Sequence, residues 1–237
     1  MRFYGPLVDL AEQPEVVAPF GEPRSVKDLV EALGVPHPEI GLLLVDGAAV
    51  GFDHLLRGGE RVAVYPPWRS VPLAEAQRLE PSALPPRFVL DVHLGTLARR
   101  LRLLGFDCWY RTDADDATLA DVTVAERRIL LTRDRGLLMR RVITHGYCPR
   151  SDDPDRQLDE VAERYDLAGR LAPLTRCVAC NGELSEVDAR EVATEVPPLT
   201  RINVDRFARC EACGQVFWPG AHRGALTDII ERVRAGR

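Results

Sequence analysis

Two hydrophobic runs in this chain end on aspartate, and that pattern limits the available folds more than any other feature. Phe88-Val89-Leu90 leads into Asp91, and Ile129-Leu130-Leu131-Thr132-Arg133 leads into Asp134. Short apolar runs of this kind read as strands buried on both faces. An ionised carboxylate beside a core is unfavourable unless a partner compensates it. At the carboxyl ends of strands in an open parallel α/β sheet, however, ligands bind, so two acids there point to a site rather than to packing. Thr112-Asp113-Ala114-Asp115-Asp116 lies between the runs and adds further carboxylates. Clustered hard oxygen donors suit a divalent cation such as Mg²⁺ or Mn²⁺.

The intervening residues read as alternating helices and strands. Leu94, Leu97, Ala98, Leu101 and Leu104 recur at helical spacing after Asp91, and Gly105 stops that helix. Residues 106–110 form a second strand. Asp115 or Asp116 caps a helix running to about Ala125, residues 129–132 are the third strand, and 135–141 form a short helix. A fourth strand is expected at 142–148 and a helix at 154–167. This alternation implies parallel βαβ units.

Two CxxC pairs, Cys177-Val178-Ala179-Cys180 and Cys210-Glu211-Ala212-Cys213, mark a second centre. Each tight turn brings two thiolates to one side, and two turns complete a tetrahedral Zn²⁺ site with no open position, hence structural rather than catalytic. The 29 residues between the pairs have room for a hairpin, expected at 191–196 with 201–204. Cys108 and Cys148 fall in predicted strands and read as buried apolar residues. Trp218 either packs the ribbon or stacks on a base, and His222 reads as a helix start or a phosphate contact. A terminal helix is expected at 226–233.

The N-terminal residues carry a different pattern. Strands are expected at 2–9 and 15–20, then a helix over 25–34 with Ser25 as N-cap, Asp28 as the capping-box acid and Gly34 as the stop. Segments 41–46, 48–51 and 61–65 supply further strands, with Asp46-Gly47 as a hairpin turn. Residues 66–87 include Pro66, Pro67, Pro72, Pro81, Pro85 and Pro86 and read as a linker. No stretch approaches the ~18 apolar residues of a membrane-spanning helix. The start lacks a signal core, so a cytoplasmic location is the default and a disulfide pairing of the cysteines is disfavoured.

The net charge of −5 conceals an asymmetry. Residues 1–86 carry 7 basic and 12 acidic side chains, residues 87–150 carry 12 and 8, and residues 151–237 carry 12 and 16. Positive charge is thus concentrated around the strand-end acids, as a polyanionic substrate would require. Lys27 is the sole lysine, so this charge is almost all arginine, which binds phosphate bidentately.

These residues carry two resemblances. The ββαβββ order of the first segment, with Leu56-Arg57-Gly58-Gly59-Glu60-Arg61-Val62-Ala63-Val64-Tyr65-Pro66-Pro67, resembles the ubiquitin-like β-grasp fold of the ThiS/MoaD type. Sulfur carriers of that type end in a free Gly-Gly, whereas Gly58-Gly59 precedes a strand here, so a binding or docking module that engages a protein partner is expected instead. Asp91 with its Leu-rich helix, Leu101-Arg102-Leu103-Leu104-Gly105-Phe106-Asp107, Asp115-Asp116 and Leu131-Thr132-Arg133-Asp134-Arg135-Gly136-Leu137-Leu138 resemble the Mut-seven C-terminal RNase domain of the PIN-type ribonucleases. This resemblance spans roughly residues 87–225, because that family carries a zinc ribbon after its nuclease core and its bacterial members an N-terminal ubiquitin-like domain.

The second resemblance implies a metal-dependent ribonuclease acting on single-stranded or structured RNA. Asp91 and Asp134 would be Mg²⁺ or Mn²⁺ ligands, with Asp116 the next ligand and Asp115 and Asp113 competing with it. A fourth acid would be Asp152 or Asp153. Arg99, Arg102, Arg133 and Arg135 would contact phosphate, and Cys177, Cys180, Cys210 and Cys213 would hold zinc. The expected architecture is a ubiquitin-like β-grasp domain of α+β type at 1–67, a Pro-rich linker at 68–86, a PIN-like α/β core with a parallel sheet at 87–170, and a zinc ribbon with a C-terminal helix at 171–237. The rival expectation is a non-catalytic RNA-binding adaptor that keeps the same fold and ribbon.

Overall fold

Short apolar stretches broken by Gly, Pro and Asp produce a mixed sheet at the start of the chain. The computed structural model describes residues 1–67, 79, 84–204, 206–218 and 223–235, so most of the expected linker and His222 lie outside the described residues. The elements β1 (Arg2–Phe3), α1 (Leu7–Ala11), β2 (Arg24–Ser25), α2 (Val26–Ala32), β3 (Leu42–Val45), β4 (Ala48–Ala49), β5 (Leu55–Leu56) and β6 (Val62–Tyr65) follow in order. Four of them form a sheet of order β1-β6-β3-β4, with β1 parallel to β6 and the other pairs antiparallel. β2 and β5 pair separately.

Local chemistry accounts for most of these boundaries. Ser25 Oγ accepts from the Asp28 amide at 3.0 Å and starts α2, which buries Val26, Leu29 and Val30. Asp46 and Gly47 both adopt left-handed backbone (φ 48° and 87°), as a two-residue turn between β3 and β4 requires. The strand expected at 2–9 stops at Phe3. A helical turn follows because it alone buries both Leu7 and Leu10, three positions apart. The strand expected at 15–20 is reduced to one bridge, Glu15 to Arg2.

Next come β7 (Phe88–Leu90), α3 (Gly95–Leu103), β8 (Cys108–Tyr110), α4 (Asp116–Ala125), β9 (Ile129–Leu131), α5 (Arg135–Leu138), β10 (Gly146–Tyr147) and α6 (Pro154–Tyr165). β7 runs parallel to β8, and β9 parallel to β10. The expected parallel α/β architecture is present. Every residue of β7 and β9 is buried, as strands covered on both faces should be. α3 turns Leu97, Ala98 and Leu101 inward, and α6 does so with Leu158, Val161 and Ala162. Each fully buried leucine contributes about 2 kcal/mol. Gly105 ends α3 at φ 95°, and a Cβ there would lie 2.1 Å from the Ala172 carbonyl oxygen. Only glycine fits that stop.

The last elements are β11 (Leu184–Val187), α7 (Pro198–Asn203), β12 (Phe207–Cys210), β13 (Val216–Phe217) and α8 (Arg223–Ala235). β11, β12 and β13 form an antiparallel ribbon. The hairpin expected at 191–196 with 201–204 is absent. Pro198 at the first turn of α7 cannot donate to a ladder and favours a helix start, so the ribbon pairs the residues flanking the two CxxC turns instead. Trp218 packs against Val192, Val196 and Phe207, so it serves the ribbon core.

The chain divides into two compact units that interleave along the sequence. One comprises Met1–Pro85 and Asp115–Arg150, the other Pro86–Ala114 and Ser151–Arg237. No described helix is long and apolar enough to cross a membrane.

Candidate functional site

Each strand-end acid also starts a helical turn. Asp91 directly follows β7, and its Oδ1 accepts from the Val92 amide at the head of the 3-10 turn Val92–Leu94. Asp134 is the third residue after β9, and its Oδ1 accepts from the Leu137 amide at 3.1 Å to cap α5. Asp115 caps α4 through the Thr118 amide at 2.8 Å. Hydrogen bonds from Thr118 hold the Asp115 carboxyl below its ordinary range. These caps use one oxygen of each carboxylate and fix its orientation relative to the preceding strand or loop.

The remaining acids separate by partner. With Asp115 as the cap, Asp116 becomes the first residue of α4, and its Oδ2 accepts from Arg140 Nη2 at 3.0 Å. Arg140 Nη1 also donates to the Asp116 carbonyl at 3.1 Å. Asp113 is held bidentately by Arg111, at 3.0 Å for both contacts, which keeps it ionised and occupied. Asp153 caps α6 through the Asp155 amide. Asp115, Asp116 and Asp134 belong to one unit and Asp91 to the other. Nothing local in the sequence marks Arg140, which is 24 residues from Asp116.

The arginines expected at phosphate divide likewise. Arg99 is exposed, with Nη2 on Thr96 Oγ1, and Arg133 is exposed. Arg135 is partly buried and its Nη1 donates to the Leu10 carbonyl at 2.9 Å. Arg102 differs from expectation. It is 3 % exposed, its Nε and Nη2 donate to the Cys108 carbonyl at 3.0 and 2.8 Å, and its Nη1 donates to the Val178 and Ala179 carbonyls at 3.2 and 2.9 Å. A guanidinium engaged in this way does not contact a phosphate; it secures the first CxxC turn to the start of β8. Burial opposes its charge, and the nearby Cys108, Cys180 and Cys177 sulfurs counter that opposition only in part.

The four CxxC cysteines meet. Their sulfurs all lie within 4.8 Å of one another, the only such group of three or more His, Cys, Asp or Glu ligands among the described residues. Cys177 and Cys213 sulfurs are 3.8 Å apart and those of Cys180 and Cys210 3.4 Å, while no cysteine is in a disulfide. The two turns repeat one geometry. In each, the amide of the second cysteine points to the first sulfur at 3.5 Å, and the residue four after the first cysteine, Asn181 or Gly214, has left-handed backbone. Burial opposes ionisation of Cys210, but the amides of Cys213 and Ala212 outweigh it and bring the thiol down to about 7. This cluster can hold a structural metal ion. Asn181 also extends outward: its Oδ1 accepts from the Cys108 amide at 2.8 Å and its Nδ2 donates to Asp107 at 2.7 Å. The sequence reading missed this residue, whose only local signal is Asn in the αL position.

Arg102 therefore carries a stability prediction. Arg102→Met removes the buried charge but leaves three carbonyls without their donor, at a cost of about 3–5 kcal/mol. A thermal melt of the full chain should drop by roughly 10 °C. An unchanged melt would show that these carbonyls find other donors.

Residues 86–230 match the family model of the Mut7-C RNAse domain, and residues 1–71 match that of the Mut7-C ubiquitin domain. No curated protein and no solved structure matches the chain.

Proposed function

Since this chain belongs to the Mut7-C RNAse domain family, which points to a nuclease, we propose that it hydrolyses RNA phosphodiester bonds with Mg²⁺ or Mn²⁺ held by Asp91, Asp116 and Asp134, with Asp115 beside them. The observation that carries this reading is that Asp91 and Asp134 stand at the carboxyl ends of buried parallel strands inside the matched segment. All four side chains offer hard oxygen donors, the set that Mg²⁺ and Mn²⁺ prefer. A bound ion would polarise the scissile phosphate and supply a water activated for attack. The chain's own contribution is orientation: the Val92, Thr118 and Leu137 amides hold three of the carboxylates, and Arg140 offsets the charge of Asp116. Arg99 and Arg133, both exposed, are the proposed phosphate contacts.

Zinc is the metal proposed for the four cysteines. A tetrahedral site with Zn–S bonds of ~2.3 Å needs sulfurs roughly 3.8 Å apart, and the two measured pairs are at 3.8 and 3.4 Å. The site has no open position, so its role is structural. The ubiquitin-like segment suggests a protein interaction. One observation favours the adaptor alternative, namely that Arg140 already occupies an oxygen of Asp116.

The chemistry of the cut ends tests the proposal. Attack by water with the 3′-oxygen as leaving group breaks the P–O3′ bond, leaves a 5′-phosphate and a free 3′-hydroxyl, and tolerates a 2′-deoxy nucleotide at the cut. Mass analysis of the products should show these ends. A 2′,3′-cyclic phosphate would mean attack by the RNA's own 2′-hydroxyl, and would overturn the metal–water reading.

A further inference from the structure

The ubiquitin-like segment reaches Asp134 through an unbroken run of hydrogen bonds. Glu39 lies in the 3-10 turn His37–Glu39 and is 2 % exposed. A carboxylate so buried is tolerable only with charged and hydrogen-bonded partners. Its Oε1 accepts from the Cys148 amide at 2.7 Å and from Arg150 Nη1 at 2.8 Å, and its Oε2 accepts from Arg150 Nη2 at 3.0 Å. Cys148 directly follows β10. The carbonyl of Tyr147, the last residue of β10, accepts from the Thr132 amide at 3.2 Å. Thr132 is fully buried, and its Oγ1 accepts from the Asp134 amide at 2.9 Å.

A second tie runs beside the first. Arg135, next to Asp134, donates from Nη1 to the Leu10 carbonyl at 2.9 Å. Gly34 makes room for it, since a Cβ there would lie 3.0 Å from that nitrogen. All these groups belong to one unit of the chain. Two long-range polar anchors therefore flank Asp134, and both come from the first 67 residues.

We propose that Glu39 is a positioning residue for the nuclease centre, holding the β9–β10 pair and, through Thr132, the backbone that carries Asp134. The ubiquitin-like segment then acts within its own chain, as part of the scaffold of the acid. What Asp134 does rests on the nuclease reading; the coupling of Glu39 to Asp134 does not. The fork of Arg150 supplies a countercharge to the buried Glu39 carboxylate. Replacing Glu39 by Gln keeps one oxygen that can accept from Cys148, but it turns the acceptor of Arg150 Nη2 into a donor and leaves the guanidinium without its countercharge.

The test uses full-length Glu39→Gln, with Arg150→Lys as a second variant that keeps the charge but loses the fork. Ser25→Ala serves as the control, because it weakens the same segment through a lost helix cap and removes none of the hydrogen bonds of this run. Residue-resolved amide exchange is the first readout, and Mn²⁺ titration by electron paramagnetic resonance is the second. Glu39→Gln should speed exchange at Cys148, Thr132 and Asp134 about tenfold and weaken Mn²⁺ binding by about ten- to a hundredfold, the usual loss when a group that orients a metal ligand is removed. Arg150→Lys should move both in the same direction by less, and Ser25→Ala should move neither. RNA turnover should fall in kcat with KM unchanged. If Glu39→Gln changes exchange at Thr132 and Asp134 no more than Ser25→Ala does, the proposal is overturned, whatever happens to RNA. If exchange responds but the wild type neither binds Mn²⁺ nor cuts RNA, the coupling is supported and the assignment of Asp134 as a metal ligand is overturned.

Discussion

Replacing Asp91 and Asp134 together by Asn should lower RNA cleavage by at least about a thousandfold, or roughly 4 kcal/mol in transition-state stabilisation. The choice of Asn separates two roles that the structure combines. Asp91 and Asp134 each accept a backbone amide at the start of a helical turn, and Asn caps about as well as Asp. The caps should survive, so the melting temperature should shift by no more than about 2 °C. What Asn cannot supply is the negative charge that a divalent ion needs. Single-turnover cleavage of a labelled RNA, alongside a thermal melt, separates the outcomes. Cleavage within tenfold of wild type would remove these two acids from the mechanism.

Loss of the metal from the four cysteines should be the most damaging change to stability. Structural zinc in small ribbons contributes an apparent ~10–16 kcal/mol at neutral pH. Here the loss would extend beyond the ribbon. Arg102 binds the carbonyls of Val178 and Ala179 inside the first CxxC turn, and Asn181 just beyond it binds the Cys108 amide. β8 thus depends on the order of that turn. Cys177→Ser/Cys210→Ser, or exhaustive chelation, should abolish bound metal, lower the melting temperature by about 20 °C or more, and expose the Cys108 amide to exchange. Zinc analysis with residue-resolved exchange checks this. Retained protection at Cys108 in zinc-free protein would mean that β8 stands without the ribbon.

What the sequence revealed depended on distance along the chain. Ser25, the Asp46-Gly47 turn and the stop at Gly105 are local signals, and each acts in the structure as its residue type suggests. The CxxC turns were equally legible, because each creates half of its ligand set within four residues. Asp115 rather than Asp116 takes the cap of α4, an ambiguity that adjacent aspartates cannot resolve until the helix register is fixed. Partners separated by long stretches were not legible. Arg102 sat on an apparently polar helix face and read as a phosphate contact, but its acceptors Val178 and Ala179 lie 76 and 77 residues away. Glu39 and Cys148 are 109 residues apart, and a lone glutamate beside Pro38 carries no sign of burial. The helices Leu7–Ala11 and Pro198–Asn203 were missed for another reason: both are short, and Pro near their starts reads equally well as a loop.

These partnerships also change how the basic segment is understood. Arg100, Arg111, Arg128, Arg140 and Arg150 pair with carboxylates, and Arg102 and Arg135 with backbone carbonyls. Much of the positive charge in residues 87–150 is therefore engaged by partners within the chain, some of them at the surface. The proposed recognition of a polyanion then does not include Arg102, and exposure is what keeps Arg99 and Arg133 in it.

Cleavage of labelled single-stranded RNA by the purified wild-type chain in Mg²⁺, in Mn²⁺ and in EDTA tests the central claim most directly. The account predicts cleavage in one or both metals, none in EDTA, and recovery when the metal is restored. RNA bound under all three conditions but cut in none would contradict it and leave an RNA-binding adaptor built on the same fold.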